Sequence, residues 1–462
     1  MNYQEFIRSK SREVPMSGFS VRESDLNPNL FDWQRKIVAW ALRRGRAALF
    51  EECGMGKTIQ QLSWAEQVHM HTSAPVVLHC PVGVRNQTKA EAAKFGIGCD
   101  VQVVDEATEV VDGINLVNYE KLHLFDLSVF SGVVLDESSI LKNFTGKIRN
   151  QIIKGYWNTP FKLACTATPS PNDHMELGNH AEFLGAMLRE DMLSKYFVHD
   201  SGDTAKWRLR GHAKEDFWAW VSTWATCCSK PSDVGGSDQG FDLPELSVKR
   251  HLLESELTCG NGMLFDTGTV NATTIHESRR ATIDERCRKS AEIANSTTDS
   301  VIVWCDTNAE SKLLSELIPD SVEVHGSQSE KAKVDAFNRF ESGDARVIVT
   351  KPKIAGFGMN WQHCNRQVFA GVNYSFELYY QAVRRSWRFG QDKPVHIDIV
   401  VADDMNAVSS AVASKESDHR LMQTEMANAM KDRHELSVDT KLKSTYNPTN
   451  PVSIPSFLGD NK

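Results

Sequence analysis

The sequence predicts an α/β protein: two tandem parallel-sheet domains, with a helical insertion between them and a C-terminal helical tail. Three observations carry this reading. Short apolar runs alternate with helix-length stretches, as successive βα units of a parallel sheet do. The alternation stops over residues 171–245 and then resumes as a second, separate series. At 462 residues, the chain is also too long for one ordinary core.

After an irregular first thirty residues, FDWQRKIVAWALRRG reads as a helix with Trp33, Ile37, Val38 and Leu42 on one face. The strand candidates RAALF, PVVLHCP, INLVNY, GVVLDE and FKLACTATP follow, which places the first domain at 1–170. Residues 176–228 are rich in Trp, Phe and Met. Within them Phe217, Trp220 and Trp224, spaced i, i+3 and i+7, predict a core-facing helix stripe. The Gly, Asp, Ser and Pro content of KPSDVGGSDQGFDLPEL marks a linker that closes the insertion at 245. The second domain, 246–402, carries SVIVWCD, SVEVHG, ARVIVTK, RQVFAG and VHIDIVV. In the tail, 403–462, Met422, Met426 and Met430 predict a packing stripe, and STYNPTNPVSIPSF predicts an extended or disordered arm.

Composition narrows the function classes. A hydrophobic content of 41% with 24% charged residues describes a soluble globular protein, and a net charge of -8 argues against a general polyanion binder. Contacts to nucleic acid are therefore expected in local basic patches. Ten cysteines without a C-x-x-C pair predict reduced, mostly buried thiols in a cytoplasmic compartment. MNYQEFIRSK lacks an apolar core and no window approaches about 18 apolar residues, so neither secretion nor membrane insertion is expected. His69 with His71, and His174 with His180, lack the i, i+4 spacing of helical metal ligands and are expected to pack or face solvent.

The chemistry is concentrated in EECGMGKT, Glu51 to Thr58, between an apolar strand and the helical IQQLSWAEQV. Such a loop wraps backbone N–H groups around phosphates and feeds a helix whose positive end faces them. Gly54, Met55 and Gly56 form the wrap, Lys57 reaches the β- and γ-phosphates, and Thr58 places its hydroxyl on Mg²⁺. The usual first glycine is replaced by Glu51. A magnesium-linked carboxylate and a water-polarising one should follow a buried strand of the same unit. Asp136 and Glu137, after Val133-Val134-Leu135, fit these two roles.

In order, Gln34, EECGMGKT, LHCPVGVRNQ, LVNYEKL, VVLDESSILKN, CTATPSPN, KPKIAGFGMN and QAVRRSWRFGQ resemble the motif series of superfamily-two helicases, and among them the Swi/Snf-type double-stranded DNA translocases. The resemblance spans approximately Leu30 to Val401. In that family an acidic residue commonly stands where Glu51 does. It implies two RecA-like domains, ATP and Mg²⁺ as cofactors, and ATP hydrolysis coupled to movement on duplex DNA by a monomeric motor. It further implies that Phe31 and Gln34 meet the adenine, and that Thr166 and Thr168 couple the nucleotide to the DNA-facing surface. Gly356, Gly358 and Asn360 match the glycine-rich coupling motif, with Gly358 assigned to the nucleotide. Gln381, Arg385 and Arg388 match the final motif, with Arg388 the first choice for an arginine finger and Arg385 the second.

Candidate phosphate-backbone contacts are Arg85, Asn86, Lys89, Lys142, Asn143, Lys351 and Lys353. Lys206, Arg208, Arg210, His212 and Lys214 in the insertion are a further basic group. Two motifs depart from the family. Ser138 and Ser139 follow Glu137 where Ala-His or Gly-His is usual, and a serine here can still bond across to Thr166 or Gln381, with a shorter reach than histidine. Lys351 to Gly356 replaces Ser-Thr-Arg-Ala-Gly-Gly, and its Pro352 lacks a backbone donor. The insertion together with KPSDVG and GFDLP looks like a bacteriophage or mobile-element branch, which would place the protein in a host cytoplasm beside a DNA methylase or nuclease partner. Two alternatives stay open: a strand-separating helicase, and an ATP-gated DNA-binding subunit that recruits a nuclease or methylase.

Overall fold

The computed structural model describes residues 16–200, 203–253, 280–355, 359–371, 375–402, 414–418 and 420–429. Two all-parallel sheets organise the chain. The first has the order β3-β4-β2-β5-β6-β1-β9, from β1 (Arg46–Glu51), β2 (Val76–Cys80), β3 (Asp100–Val103), β4 (Gly113–Asn118), β5 (Gly132–Asp136), β6 (Phe161–Cys165) and β9 (Ala225–Cys228). The second has the order β10-β15-β14-β11-β13-β12, from β10 (Leu246–Leu253), β11 (Val301–Trp304), β12 (Ser321–Val324), β13 (Val347–Thr350), β14 (Arg366–Phe369) and β15 (Val395–Ala402).

Strands buried on both faces read as continuous apolar runs, and their alternate side chains serve two cores. In β1, Ala47 and Leu49 join Leu42, Leu62 and Trp64 on one face, while Ala48 and Phe50 join Val77, Leu135 and Trp224 on the other. The first face is covered by α1 (Asp32–Arg44) and α2 (Lys57–Thr72), while α3 (Arg85–Lys94) and α4 (Lys147–Gly155) complete the βα units. In the second domain, Ile302 and Trp304 face one core and Val301 and Val303 the other. Its helices are α8 (Ile283–Asn295), α9 (Asn308–Leu317), α10 (Glu330–Glu341), α11 (Pro352–Ala355) and α12 (Phe376–Val383).

The stretch read as a helical insertion contains more than helices. After α5 (Leu177–Leu184) and α6 (Arg189–Tyr196) comes an antiparallel hairpin outside both large sheets, β7 (Phe197–Asp200) with β8 (Asp203–Leu209). Then α7 (Lys214–Val221) leads into β9, which pairs with β1 in the register Ala48↔Ala225. The insertion thus returns to the first sheet. Phe217, Trp220 and Trp224 are all at most 1% exposed, in keeping with the core stripe. Residues 414–418 and 420–429 are helical, and Met422 and Met426 are buried in the first domain's core; Met430 lies outside the described residues. Among the described residues, no helix is long and apolar enough to cross a membrane.

Candidate nucleotide site between the two sheets

The phosphate loop lies between the C-terminal end of β1 and α2. Gly54 and Gly56 have φ of 91° and 76°, a region that strains any residue with a Cβ. A Cβ on Gly56 would also lie 2.5 Å from Gln34 Nε2. The sixteen-residue α2 starts at Lys57 with no side-chain cap on its N-terminus, so its first amides suit an anion. Lys57 Nζ donates to the loop's own carbonyls, 2.9 Å to Glu51 O and 3.1 Å to Glu52 O. Burial pulls the Lys57 ammonium down, but Cys53, Glu137, Glu51 and Asp136 outweigh it and hold its pKa above the ordinary lysine value. Loop curvature, helix terminus and retained positive charge together fit a bound triphosphate.

Glu51, in the missing glycine's position, is fully buried, and its Oε2 accepts from Gln60 Nε2 on α2 at 2.7 Å. Burial pushes this carboxyl up to about 7, against the pull of Lys57 and Gln60. An acidic residue is tolerated here because its side chain braces the loop against α2. Gln34 is likewise a strut: Oε1 accepts from Phe31 N at 2.9 Å, and Nε2 donates to Met55 O at 2.8 Å. Both ends of its amide therefore hold protein backbone. Phe31 is half exposed and meets Phe241 of the linker edge-on, with ring centroids 5.5 Å apart.

The two acidic residues sit where β5 ends. Asp136 Oδ1 accepts from Gln61 Nε2 at 2.8 Å, and its backbone carbonyl accepts from Tyr119 OH at 2.6 Å. Glu137 has φ of 54°, a left-handed conformation that costs a non-glycine residue about 1–3 kcal/mol and collects at functional sites. Its Oε2 receives Thr166 Oγ1 at 3.4 Å and, from the second domain, Gln381 Nε2 at 3.5 Å. Burial, then the Asp136 carboxylate, pushes Glu137 up to about 7, with Lys57 and Arg385 opposing; burial likewise raises Asp136. Together these carboxyls can hold a divalent cation, and Glu137 can accept a proton near neutrality. Ser138 turns inward onto α5 and bonds to His180 Nε2 at 3.0 Å.

The opposing wall is α12 and the turn after it. Arg385 donates to Gln381 O at 2.9 Å, to Gln381 Oε1 at 3.0 Å and to Met359 O at 2.8 Å. Arg388 donates one Nη1 hydrogen bond to Met359 O at 3.2 Å, and its buried Nε has no partner among the described residues. Burial and neighbouring Arg385 push Arg388 down to about 10, so it stays charged at neutral pH. A Cβ on Gly54 would meet Phe389 N at 2.9 Å and Arg388 Cβ at 3.5 Å, so the arginine turn packs directly on the phosphate loop. Arg384, Tyr380, Glu52, Gln61 and Phe241 also enter this seam. Glu52, Phe241 and Arg384 fall inside the quoted segments EECGMGKT, GFDLP and QAVRRSWRFGQ without a role assigned to them there, and Tyr380 and Gln61 carried no motif signal. Gly356 and Gly358 lie outside the described residues.

The candidate DNA contacts are not gathered in the same way. Arg85 is buried, not surface-exposed: its guanidinium pairs with Asp105 at 2.5 Å, where Lys121 also pairs at 2.9 Å, because α3 packs this side chain inward. Lys142 pairs across the cleft with Glu377. Lys351 donates to Asn308 at 2.7 Å, Lys89 donates to Gln102 at 2.8 Å, and Asn143 caps Thr145. Asn86, Lys89, Asn143 and Lys353 are exposed. In the insertion, Arg208 and His212 are exposed and Lys214 pairs with Glu425 at 2.8 Å, while the side chain of Lys206 lies outside the described residues.

Two parallel α/β domains thus meet at one Gly-rich loop, with carboxylates on one wall and arginines on the other. Residues 284–390 match the family model of the helicase conserved C-terminal domain. A stretch of 141 residues, 28% of this chain, is 31% identical to the SWI/SNF-related matrix-associated actin-dependent regulator of chromatin subfamily A-like protein 1 of Xenopus tropicalis. A stretch of 152 residues, 30% of the chain, is 27% identical to the homologous protein of Caenorhabditis elegans. These alignments span only 15% and 21% of the relatives' own lengths. The solved Sulfolobus solfataricus SWI2/SNF2 ATPase core in complex with dsDNA aligns over 91% of this chain and 97% of its own, at 19% identity and a TM-score of 0.43. The chain thus matches the helicase conserved C-terminal domain over residues 284–390 and is similar over shorter stretches to SWI/SNF-related proteins.

Proposed function

We propose that the protein is a duplex-DNA-stimulated ATP hydrolase that couples cleft closure to translocation on, or remodelling of, DNA. The observation that carries this reading is the contact between the two walls: Gln381 reaches Glu137 at the end of β5, and the turn bearing Arg385 and Arg388 packs on Gly54 of the loop. In this mechanism the loop amides and the start of α2 receive the phosphates, and Lys57 exchanges its two backbone carbonyls for phosphate oxygens. Thr58 and Asp136 would hold Mg²⁺, which when bound neutralises charge on the phosphate oxygens. Glu137 orients the attacking water and accepts its proton. Gln381 holds Glu137 and Arg385 in register. Arg388, with its uncommitted donors, neutralises charge developing on the transferred phosphoryl. An arginine in this role supplies a factor of about 10³–10⁵, or roughly 4–7 kcal/mol of barrier. Because the arginines and carboxylates belong to different sheets, hydrolysis requires closure, and closure moves one domain against the other.

The substrate assignment rests on the family resemblance and on exposed Asn86, Lys89, Asn143 and Lys353, whose side chains can follow phosphates without reading bases. A phage-type branch with a methylase or nuclease partner stays part of the proposal, supported by the KPSDVG and GFDLP segments. The β7–β8 hairpin favours strand separation as the second reading, since it stands outside both large sheets. One ATPase assay with duplex DNA, single-stranded DNA and RNA side by side tests the main reading. Greatest stimulation by duplex DNA, weakening with salt, is expected, with no turnover by Lys57→Ala. Equal or stronger stimulation by RNA would overturn it. Triplex displacement without fork unwinding separates translocation from strand separation.

A further inference from the structure

Glu52 is the residue on which the two walls converge. Its backbone carbonyl accepts from Lys57 Nζ at 3.1 Å, and its amide donates to Cys228 O at 3.0 Å, fixing it to the phosphate loop and to β9. Its carboxylate belongs to the other domain's groups. Oε2 pairs with Arg384 Nη2 at 2.6 Å, and Oε1 accepts from Tyr380 OH as well as from Cys53 N at 2.9 Å. Both side chains of the ion pair are at most 9% exposed. The Arg384 guanidinium lies 4.3 Å from the Trp387 ring centroid and 5.3 Å from that of Tyr380, and Nη1 donates to Trp387 O at 3.3 Å. Arg384 is therefore held by its own turn on one side and by the phosphate loop on the other.

This geometry separates three adjacent arginines by task. Arg385 is spent on Gln381 and Met359, Arg388 keeps free donors beside Gly54, and Arg384 faces away from both, onto Glu52. Because Arg384 and Arg388 lie on one short turn, the position of Arg388 relative to Lys57 is set through Glu52, which touches Lys57 with one oxygen and Arg384 with another. We propose that Glu52, Arg384 and Tyr380 form an interdomain latch that places Arg388 over the phosphate loop, with Arg384 a positioning residue and not a catalytic arginine. This rests on the ATPase reading above. The latch makes closure depend on a desolvated charge pair, which forms only when both domains meet and must be rehydrated each time they part.

The test uses the full chain, duplex DNA and the variants Glu52→Gln, Arg384→Met, Tyr380→Phe and Glu52→Gln/Arg384→Met. Expected are losses of roughly 10²-fold in kcat for the Glu52 and Arg384 single variants, with nucleotide affinity, read by a fluorescent ATP analogue, within about threefold of the parent. The double variant should lose no more than the worse single one, since the second substitution removes a contact already broken. Tyr380→Phe, which deletes a single hydroxyl and tests the latch where larger changes perturb folding, should lower kcat by roughly tenfold at an unchanged melting temperature. Parental kcat in Arg384→Met, or losses that multiply in the double variant, would overturn the latch while leaving the ATPase reading intact. A parent chain without DNA-stimulated hydrolysis would overturn both.

Discussion

Glu137 shows how much one residue's surroundings decide. Burial and the neighbouring Asp136 raise its pKa from 4.5 to about 7, so the carboxylate needed to accept a proton appears only as pH rises through neutrality. The kcat/KM for ATP is therefore expected to climb with pH through an inflection near 7 in the free enzyme. Glu137→Gln should bind nucleotide yet lose turnover by about 10²–10⁴-fold. The stability sign is opposite. Between 4.5 and about 7 the folded chain keeps a proton that the unfolded chain has released, so this group's contribution to stability falls as pH rises across that window. Glu51 titrates over the same range from beneath the loop, and Glu51→Gln should flatten the stability slope while leaving the rate inflection in place. The sequence identified both acids by position. It could not reveal that Glu51 braces α2 or that Gln34 reaches Met55, because those contacts are set by how α1 and α2 pack against the loop.

Among elements, α8 and α9 meet through a charge pair that hydrophobic patterning does not reveal. Arg286 is fully buried, donating to Glu310 at 2.7 Å, to Thr282 Oγ1 at 3.1 Å and to the Ala370 carbonyl. Glu310 also serves the N-terminus of α9, accepting from Thr307 N at 2.9 Å while Thr307 Oγ1 accepts from Glu310 N at 3.2 Å. Arg286→Met should cost about 3–5 kcal/mol in urea unfolding, because it strands a buried carboxylate. Thr307→Ala, which removes only the cap, should cost about 1 kcal/mol. Strands were legible in proportion to their burial. VVLHC and VIVW are buried along their whole length, GVVLD is buried as far as Leu135, and all three read as apolar runs, whereas β10 is a largely exposed edge and β9 is only four residues long. Edge and short strands are specified by the partner they pair with, and that partner is distant in sequence.

Over the whole molecule, the chain crosses from the second domain back to the first. Met422 and Met426 enter the core that holds Trp218 and Trp220, Ser170 Oγ lies 2.8 Å from Met422 Sδ, and Glu425 pairs with Lys214. Met422→Ala should weaken this docking by about 2–5 kcal/mol, read as faster amide exchange across residues 420–429 with the first sheet's protection unchanged. The sequence by itself determined the two-sheet α/β plan and pointed to the Gly-rich loop, acids and arginines that the fold brings together, because buried strands and tight loops each demand particular residues at short spacing. Tertiary structure alone decided that Arg85 is buried on Asp105, that β9 completes the first sheet, and that Arg384 meets Glu52. Those outcomes depend on which surfaces come together, across 20 residues of chain for Arg85 and more than a hundred for β9 and Arg384, where local pattern imposes no constraint.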